Sequence, residues 1–241
     1  FYQPIYNLEL QKIIGFETLM RWIEKDGSIV FGPWEFIPVA ENTGQIISLG
    51  KQIIKESVKQ LNQWSLNNHQ YYLSINLSPM QFYDEDLLPF IDKLMLKYPN
   101  IAELIRFEVT ESIFVKDSDM VFKKLTELKQ RGFKLSLDDF GTGYSSLSYI
   151  QKYPFDYIKI DKCFIDNITS ENIREAQKSK ALVQAVILLS NSLDMEVIAE
   201  GIEHKEQSDV LQSMGVQMIQ GYYYGKPTSA ADIETQYHRI Q

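Results

Sequence analysis

Two adjacent carboxylates, Asp138 and Asp139, stand just before the Gly-x-Gly stretch Gly141-Thr142-Gly143, and hydroxyl side chains follow at Tyr144, Ser145 and Ser146. Paired carboxylates suit a shared cation position, where one bridges two cations and its neighbour holds the second. The residues leading in, Leu135-Ser136-Leu137-Asp138, alternate with a period of two. Leu135 and Leu137 therefore face one way, Ser136 and Asp138 the other. Because neighbouring strand residues point to opposite faces, both carboxylates can reach one site only where the strand ends. Taken alone, the plainer reading is a polar strand end running into a turn.

Other residues weigh against that plainer reading. Glu17, Asn76, Glu108, Lys159 and Glu200 also fall near the ends of segments that read as strands. Each has an ordinary explanation. Glu17, Leu19 and Arg21 share a face by period two, which fits a salt-bridged edge strand. Asn76 could cap a turn, and Glu108 could pair with Arg106. Lys159, in the apolar run Tyr157-Ile158-Lys159-Ile160-Asp161, is costly unless it is paired or functional. Six unrelated surface salt bridges would give the same pattern. Carboxylates gathered in one place, however, repel and take up protons unless a cation intervenes, and a divalent metal is the simplest resolution. The histidines (His69, His204, His238) have no ligand spacing, and Cys163 is the lone cysteine. Any metal should thus be oxygen-bound, favouring Mg²⁺ or Mn²⁺ over zinc.

The elements that must position these groups alternate strand and helix. Strands are predicted over 2–6, 13–20, 71–77, 105–110, the segment through Asp138, 155–161, 195–199 and 217–220. Helices are predicted over 33–42, 46–66, 87–97, 119–131, 172–193 and 205–214. Ile53, Ile54, Val58, Leu61 and Trp64 should form the buried stripe of the second helix, and Leu182, Val186 and Leu189 that of the long one. Such alternation predicts a parallel sheet with crossover helices. About eight strands in 241 residues favour a closed (β/α)8 barrel, whose strand ends converge on one mouth. One domain over 1–241 is the economical division. The net charge of −8 argues against a nucleic-acid polymer as partner. A lone cysteine fits a reducing compartment. No apolar run long enough to span a membrane is present. The chain opens on a strand without an initiator Met, so it reads as a cytoplasmic domain of a longer protein, whose parent could be membrane-anchored.

Joint motifs now carry a resemblance. Tyr2-Gln3-Pro4, Gly15 through Trp22, Asn76-Leu77-Ser78, Glu108-Val109-Thr110-Glu111, Asp138 through Ser146, Lys159-Ile160-Asp161, Ala199 through Glu203 and Gln220-Gly221-Tyr222 together resemble the EAL-domain cyclic di-GMP phosphodiesterases over essentially the whole chain. The resemblance implies a TIM-like barrel with an antiparallel first strand, and hydrolysis of cyclic di-GMP to linear pGpG. It implies two Mg²⁺ or Mn²⁺ ions, roughly 3.5–4 Å apart, with Ca²⁺ inhibitory. Glu17, Asn76, Glu108 and Asp138 would hold one ion, and Asp138 with Asp139 the second. Glu200, Lys159 and Glu17 would be catalytic, with Lys159 orienting the attacking water and Glu200 acting as base. Gln3, Leu19, Arg21, Asp161, Glu203 and Gln220 would bind substrate, Arg21 through a phosphate. Glu111 would anchor the loop after Asp139. That loop and the helix from Ile165 onward would form a homodimer contact.

Thr18 departs from the family's usual Ala at the centre of its signature. Facing away from Glu17, it should point into the helix layer with little effect on chemistry. Two alternatives remain: a receptor domain of the same family that binds cyclic di-GMP with weak catalysis or none, and another metal-dependent barrel phosphodiesterase.

Overall fold

In the computed structural model, period-two alternation resolves into two separate hydrophobic layers. The structure describes all residues except 25, 68, 116–117, 142–146 and 238–241; the side chains of 115, 118 and 147–149 are also outside it. The strands are β1 (Tyr2–Asn7), β2 (Lys12–Thr18), β3 (Trp22–Ile23), β4 (Ile29–Phe31), β5 (Tyr72–Asn76), β6 (Ile105–Thr110), β7 (Lys134–Phe140), β8 (Tyr157–Ile160), β9 (Glu196–Ala199) and β10 (Met218–Gln220). The helices are α1 (Pro33–Asn42), α2 (Gln45–Leu66), α3 (Pro79–Tyr83), α4 (Leu87–Lys97), α5 (Ser118–Gln130), α6 (Leu147–Lys152), α7 (Lys162–Ile165), α8 (Ile173–Ser192), α9 (Lys205–Ser213) and α10 (Ala230–Gln236).

Eight strands close into a barrel in the order β1-β10-β9-β8-β7-β6-β5-β2. β1 is antiparallel to both neighbours, and the remaining pairs are parallel. This is the TIM-like barrel with a reversed first strand that the motifs imply. Outward-facing residues such as Phe16, Leu73, Phe107, Leu135, Leu137 and Ile158 join the helices in the main core. Each large apolar side chain buried there contributes roughly 1.5–3 kcal/mol. Inside the barrel the apolar layer is small: Ile5, Tyr72, Tyr157, Ile198 and Met218 form the floor. The outer layer therefore supplies most of the hydrophobic stabilisation, and the upper barrel is free to carry polar residues.

Several boundaries differ from those predicted. β2 stops at Thr18, so Leu19 and Arg21 do not continue the face of Glu17. β8 stops at Ile160, and Asp161 instead caps α7, accepting from the Cys163 amide at 2.9 Å. β5 ends at Asn76, and Pro79 opens α3 rather than closing a strand, with Ser78 as its N-cap. Ile53 is only partly buried, whereas Ile54, Val58, Leu61 and Trp64 are buried as expected. On α8 the buried stripe runs through Ser179, Val183, Val186, Ile187 and Ser190, leaving Leu182 exposed. Small serines pack close to the barrel there, so hydrophobicity alone places the stripe one residue off. The β3–β4 hairpin is too short to show an alternation.

Candidate active site

The predicted polar residues converge inside the barrel because the parallel register puts them at neighbouring levels. Glu17 on β2 sits beside Gln3 on β1 and Ser74 on β5. Asn76 on β5 sits beside Glu108 on β6. At the centre is the Lys159 ammonium, 1% exposed. It lies 2.7 Å from Glu108 Oε2, 2.7 Å from Glu200 Oε1, 3.2 Å from Asp138 Oδ1 and 3.7 Å from Glu17 Oε2. Asn76 donates to Glu17 Oε1 at 2.6 Å, and Gln220 donates to Glu17 Oε2 at 2.6 Å. The Glu17 carboxylate is therefore held from two sides.

Burial works against the charge on Lys159, but Asp138, Glu108, Glu17 and Glu200 outweigh it and hold the ammonium well above its usual range. One ammonium does not balance so many carboxylates. Burial, reinforced by Glu17 and Asp138, pushes Glu108 up to about 8. Burial likewise pushes Glu200 well above the usual carboxylate range, with Asp138 and Glu17 adding to it. Asp139 rises to about 6 through burial and the charges of Asp138 and Asp161.

Asp138 and Asp139 reach the same site by a route other than a strand end. The β7–β8 register shifts between Leu137 and Phe140, and Asp139 has φ +53°. This bulge with a left-handed aspartate turns the second carboxylate inward, and Asp is among the few residues that tolerate such a backbone. The Asp139 amide donates to Asp138 Oδ1 at 3.0 Å. Ligand oxygens of Asp138, Asp139 and Glu200 come within 4.8 Å of one another. Glu108 Oε1 and Gln220 Oε1 are buried with no hydrogen-bond partner. An all-oxygen donor set with unsatisfied buried acceptors fits a hard divalent cation.

The mouth is a cavity of about 380 Å³ that Gln3, Glu17, Asn76, Asp138, Asp139, Lys159, Glu200, Glu203 and Gln220 help to line. Glu108 lies beneath it, behind Lys159. Arg21 stands to one side in an apolar cleft of about 630 Å³ with Trp22, Phe31 and Phe36. Burial holds its guanidinium below the usual arginine range, and the Glu17 carboxylate partly offsets that. Leu19 is tied to the first residue, donating its amide to the Phe1 carbonyl at 2.9 Å. Asp161 sits outside the cavity lining, at the α7 cap. Glu111 Oε1 accepts from the Gly141 amide at 3.1 Å, at the start of the loop it was expected to anchor. Residues 142–146 of that loop lie outside the described residues. Ile165 ends the short α7 rather than starting a long helix, which begins at Ile173.

The ordinary alternative for Glu108, an ion pair with Arg106, is not formed; Glu108 pairs with Lys159. Arg106 lies in the barrel floor between two rings, its guanidinium carbon 3.3 Å from the Tyr72 centroid and 3.7 Å from that of Tyr157. Sequence reasoning missed Lys162 and gave no site role to Gly201, Gly221 and Tyr222, which it quoted only as motif residues; all four line the mouth. Lys162 follows directly after the Lys159-Ile160-Asp161 motif, and only the end of β8 brings it to the mouth. A Cβ on Gly221 would fall 2.1 Å from the Ile202 carbonyl oxygen, so that loop position requires glycine.

The family model described as EAL domain matches residues 1–227. The chain belongs to the EAL domain family. Over 233 residues this EAL domain is 39% identical to the signaling protein YkoW of Bacillus subtilis, covering 97% of the chain and 28% of the relative. It is 30% identical to the cyclic di-GMP phosphodiesterase PdeR of Escherichia coli, covering 95% of the chain and 34% of the relative. It thus spans about a third or less of these relatives' length. The solved PaMucR phosphodiesterase in complex with c-di-GMP superposes with a TM-score of 0.88 at 32% identity, covering 96% of this chain and 92% of the other. BlrP1 of Klebsiella pneumoniae, in complex with manganese and cyclic di-GMP, superposes at 0.78 and 28% identity, covering 94% and 55%. Among the described residues, no helix of this EAL domain is long and apolar enough to cross a membrane.

Proposed function

We propose that this EAL domain hydrolyses cyclic di-GMP to linear pGpG with divalent cations. The observation that carries the reading is the Lys159 ammonium set among Glu17, Glu108, Asp138 and Glu200, with Asp139 turned toward the same place by the bulge. Glu17, Asn76, Glu108 and Asp138 would hold one Mg²⁺ or Mn²⁺, and Asp138 with Asp139 a second. Bound there, the cations would supply Lewis acidity, lowering the pKa of the attacking water and offsetting charge at the phosphoryl oxygens.

The chain's own residues do the rest. Glu200, near the mouth and kept basic by burial, accepts the proton of the attacking water. Lys159, fixed by four carboxylates, orients that water for in-line attack. The new P–O bond forms as the bond to the 3′-oxygen breaks, and that oxygen takes up a proton from solvent to become the 3′-hydroxyl of pGpG. Arg21 approaches the substrate from the neighbouring cleft and stabilises phosphate charge. Gln3, Leu19, Asp161, Glu203 and Gln220 shape the remaining contacts. Glu111 holds the start of the loop after Asp139, through which two copies would pair.

The test is incubation with cyclic di-GMP and Mg²⁺ or Mn²⁺, following pGpG by chromatography. Product is expected with either ion, and little with Ca²⁺, which prefers more ligands and looser geometry. Binding without product in all three ions would make the domain a receptor. Equal turnover in Ca²⁺ and Mg²⁺ would remove the two-cation mechanism.

A further inference from the structure

The rim of the mouth stays acidic beyond the carboxylates assigned to the cations. Its lining carries Glu17, Asp138, Asp139, Glu200 and Glu203, and a phosphodiester substrate is itself anionic. Among the described lining residues the cations are Lys159 and Lys162. Lys159 is fully buried and engaged by four carboxylates. Lys162 is different: its side chain is 45% exposed, and its ammonium lies 2.6 Å from Glu203 Oε1, with Asp166 at 3.9 Å.

A track in the backbone places that ammonium. Gly201, directly after Glu200, has φ +71°, and a Cβ there would come within 2.3 Å of Lys162 Cγ and 2.5 Å of its Cβ. The Lys162 stem thus lies where a Gly201 side chain would be. This directs the charged end across the rim toward Glu203 instead of out to solvent. An exposed ion pair is weakly held and easily exchanged. The Glu203 hydrogen bond holds the ammonium above its usual lysine range.

We propose that Lys162 is a substrate-binding residue. It exchanges Glu203 for a phosphate oxygen of the cyclic dinucleotide and thereby frees the Glu203 carboxylate for hydrogen-bond donors of the same ligand. The inference rests on the function proposed above. Beside Arg21 and the cations of that proposed function, Lys162 supplies a mobile positive charge at the acidic rim, and it acts on binding rather than on the bond-breaking step.

Steady-state hydrolysis of cyclic di-GMP with Mg²⁺, measured for the wild-type chain, Lys162→Met and Lys162→Arg, tests it. Lys162→Met is expected to raise KM about tenfold with kcat within about twofold, and Lys162→Arg to stay within about threefold of the wild-type KM. The wild-type KM should also rise with added salt more steeply than that of Lys162→Met. Thermal melting checks that Lys162→Met is folded, and Lys162→Arg carries the comparison should it melt early. A wild type that turns over while the Lys162→Met KM stays within twofold overturns this inference alone. So does a KM defect that Lys162→Arg shares in full. A wild type that neither binds nor hydrolyses cyclic di-GMP overturns the functional reading, and this inference with it.

Discussion

Glu200 and Thr18 bracket what a single residue can do here. Glu200 touches Lys159 at 2.7 Å and faces the mouth, where the proposed base role would put it. Glu200→Ala should cut turnover by about 10²–10⁴-fold, the range of a lost general base, while cyclic di-GMP still binds in calorimetry. Normal hydrolysis by that variant would remove Glu200 from the base role. Thr18 faces the other way. It is buried, and the Ser57 hydroxyl on α2 lies 3.4 Å from its own. Thr18→Ala deletes one long hydrogen bond in the helix layer and should shift stability by about 1 kcal/mol or less. Turnover should change less than tenfold; a larger gain would mean that Thr18 tunes Glu17 through the strand.

At the scale of elements, the site depends on how strands end. The β7 bulge lets two consecutive aspartates serve one place, and the early stop of β2 sends Arg21 into the neighbouring cleft. The turn after β10 is as demanding. It is paired both ways with the segment after β9: Ile202 N–H donates to the Gln220 carbonyl at 3.1 Å, and Tyr223 N–H donates to the Ile202 carbonyl at 3.0 Å. Gly221→Ala would drive a methyl group into Ile202 backbone, where nothing flexible can yield. We expect a loss of about 1–3 kcal/mol by chemical denaturation, with cyclic di-GMP affinity falling because Gln220 and Tyr222 shift with the turn. A variant as stable as the wild type would show that the loop relaxes freely.

For the whole molecule, the barrel stores charge repulsion that the proposed cations would release. Burial raises Glu108 to about 8 and Asp139 to about 6, and raises Glu200 as well. A carboxylate with a raised folded pKa binds its proton more tightly in the folded chain. Its contribution to stability is therefore full below the unfolded pKa, near 4, and is lost as pH rises toward the folded value. Divalent cations bind the ionised form, so the rise in Tm on adding Mn²⁺ should be larger at pH 8 than at pH 5.5. Calorimetry in buffers of different ionisation enthalpy should also detect protons released on Mn²⁺ binding between those values. A Tm gain independent of pH would mean that these carboxylates do not share the cation.

Much of this was legible in sequence because period and composition are local. Alternation in Leu135 to Asp138, and in Tyr157 to Ile160, tells which side chains enter the barrel, and the strand–helix rhythm gives the closed sheet. The polar residues at strand ends, with their motifs, give the family. What the chain could not report by itself is where each polar group spends its charge. Glu108 has Arg106 two residues away, yet it pairs with Lys159, 51 positions further on, because β6 and β8 flank β7 in a closed barrel. Arg106 is drawn down between Tyr72 and Tyr157 instead. Lys162 carries no signal in the sequence until Gly201 and Glu203, from another strand end, are folded against it. Ion pairing follows distance in space, and only closure of the barrel sets those distances.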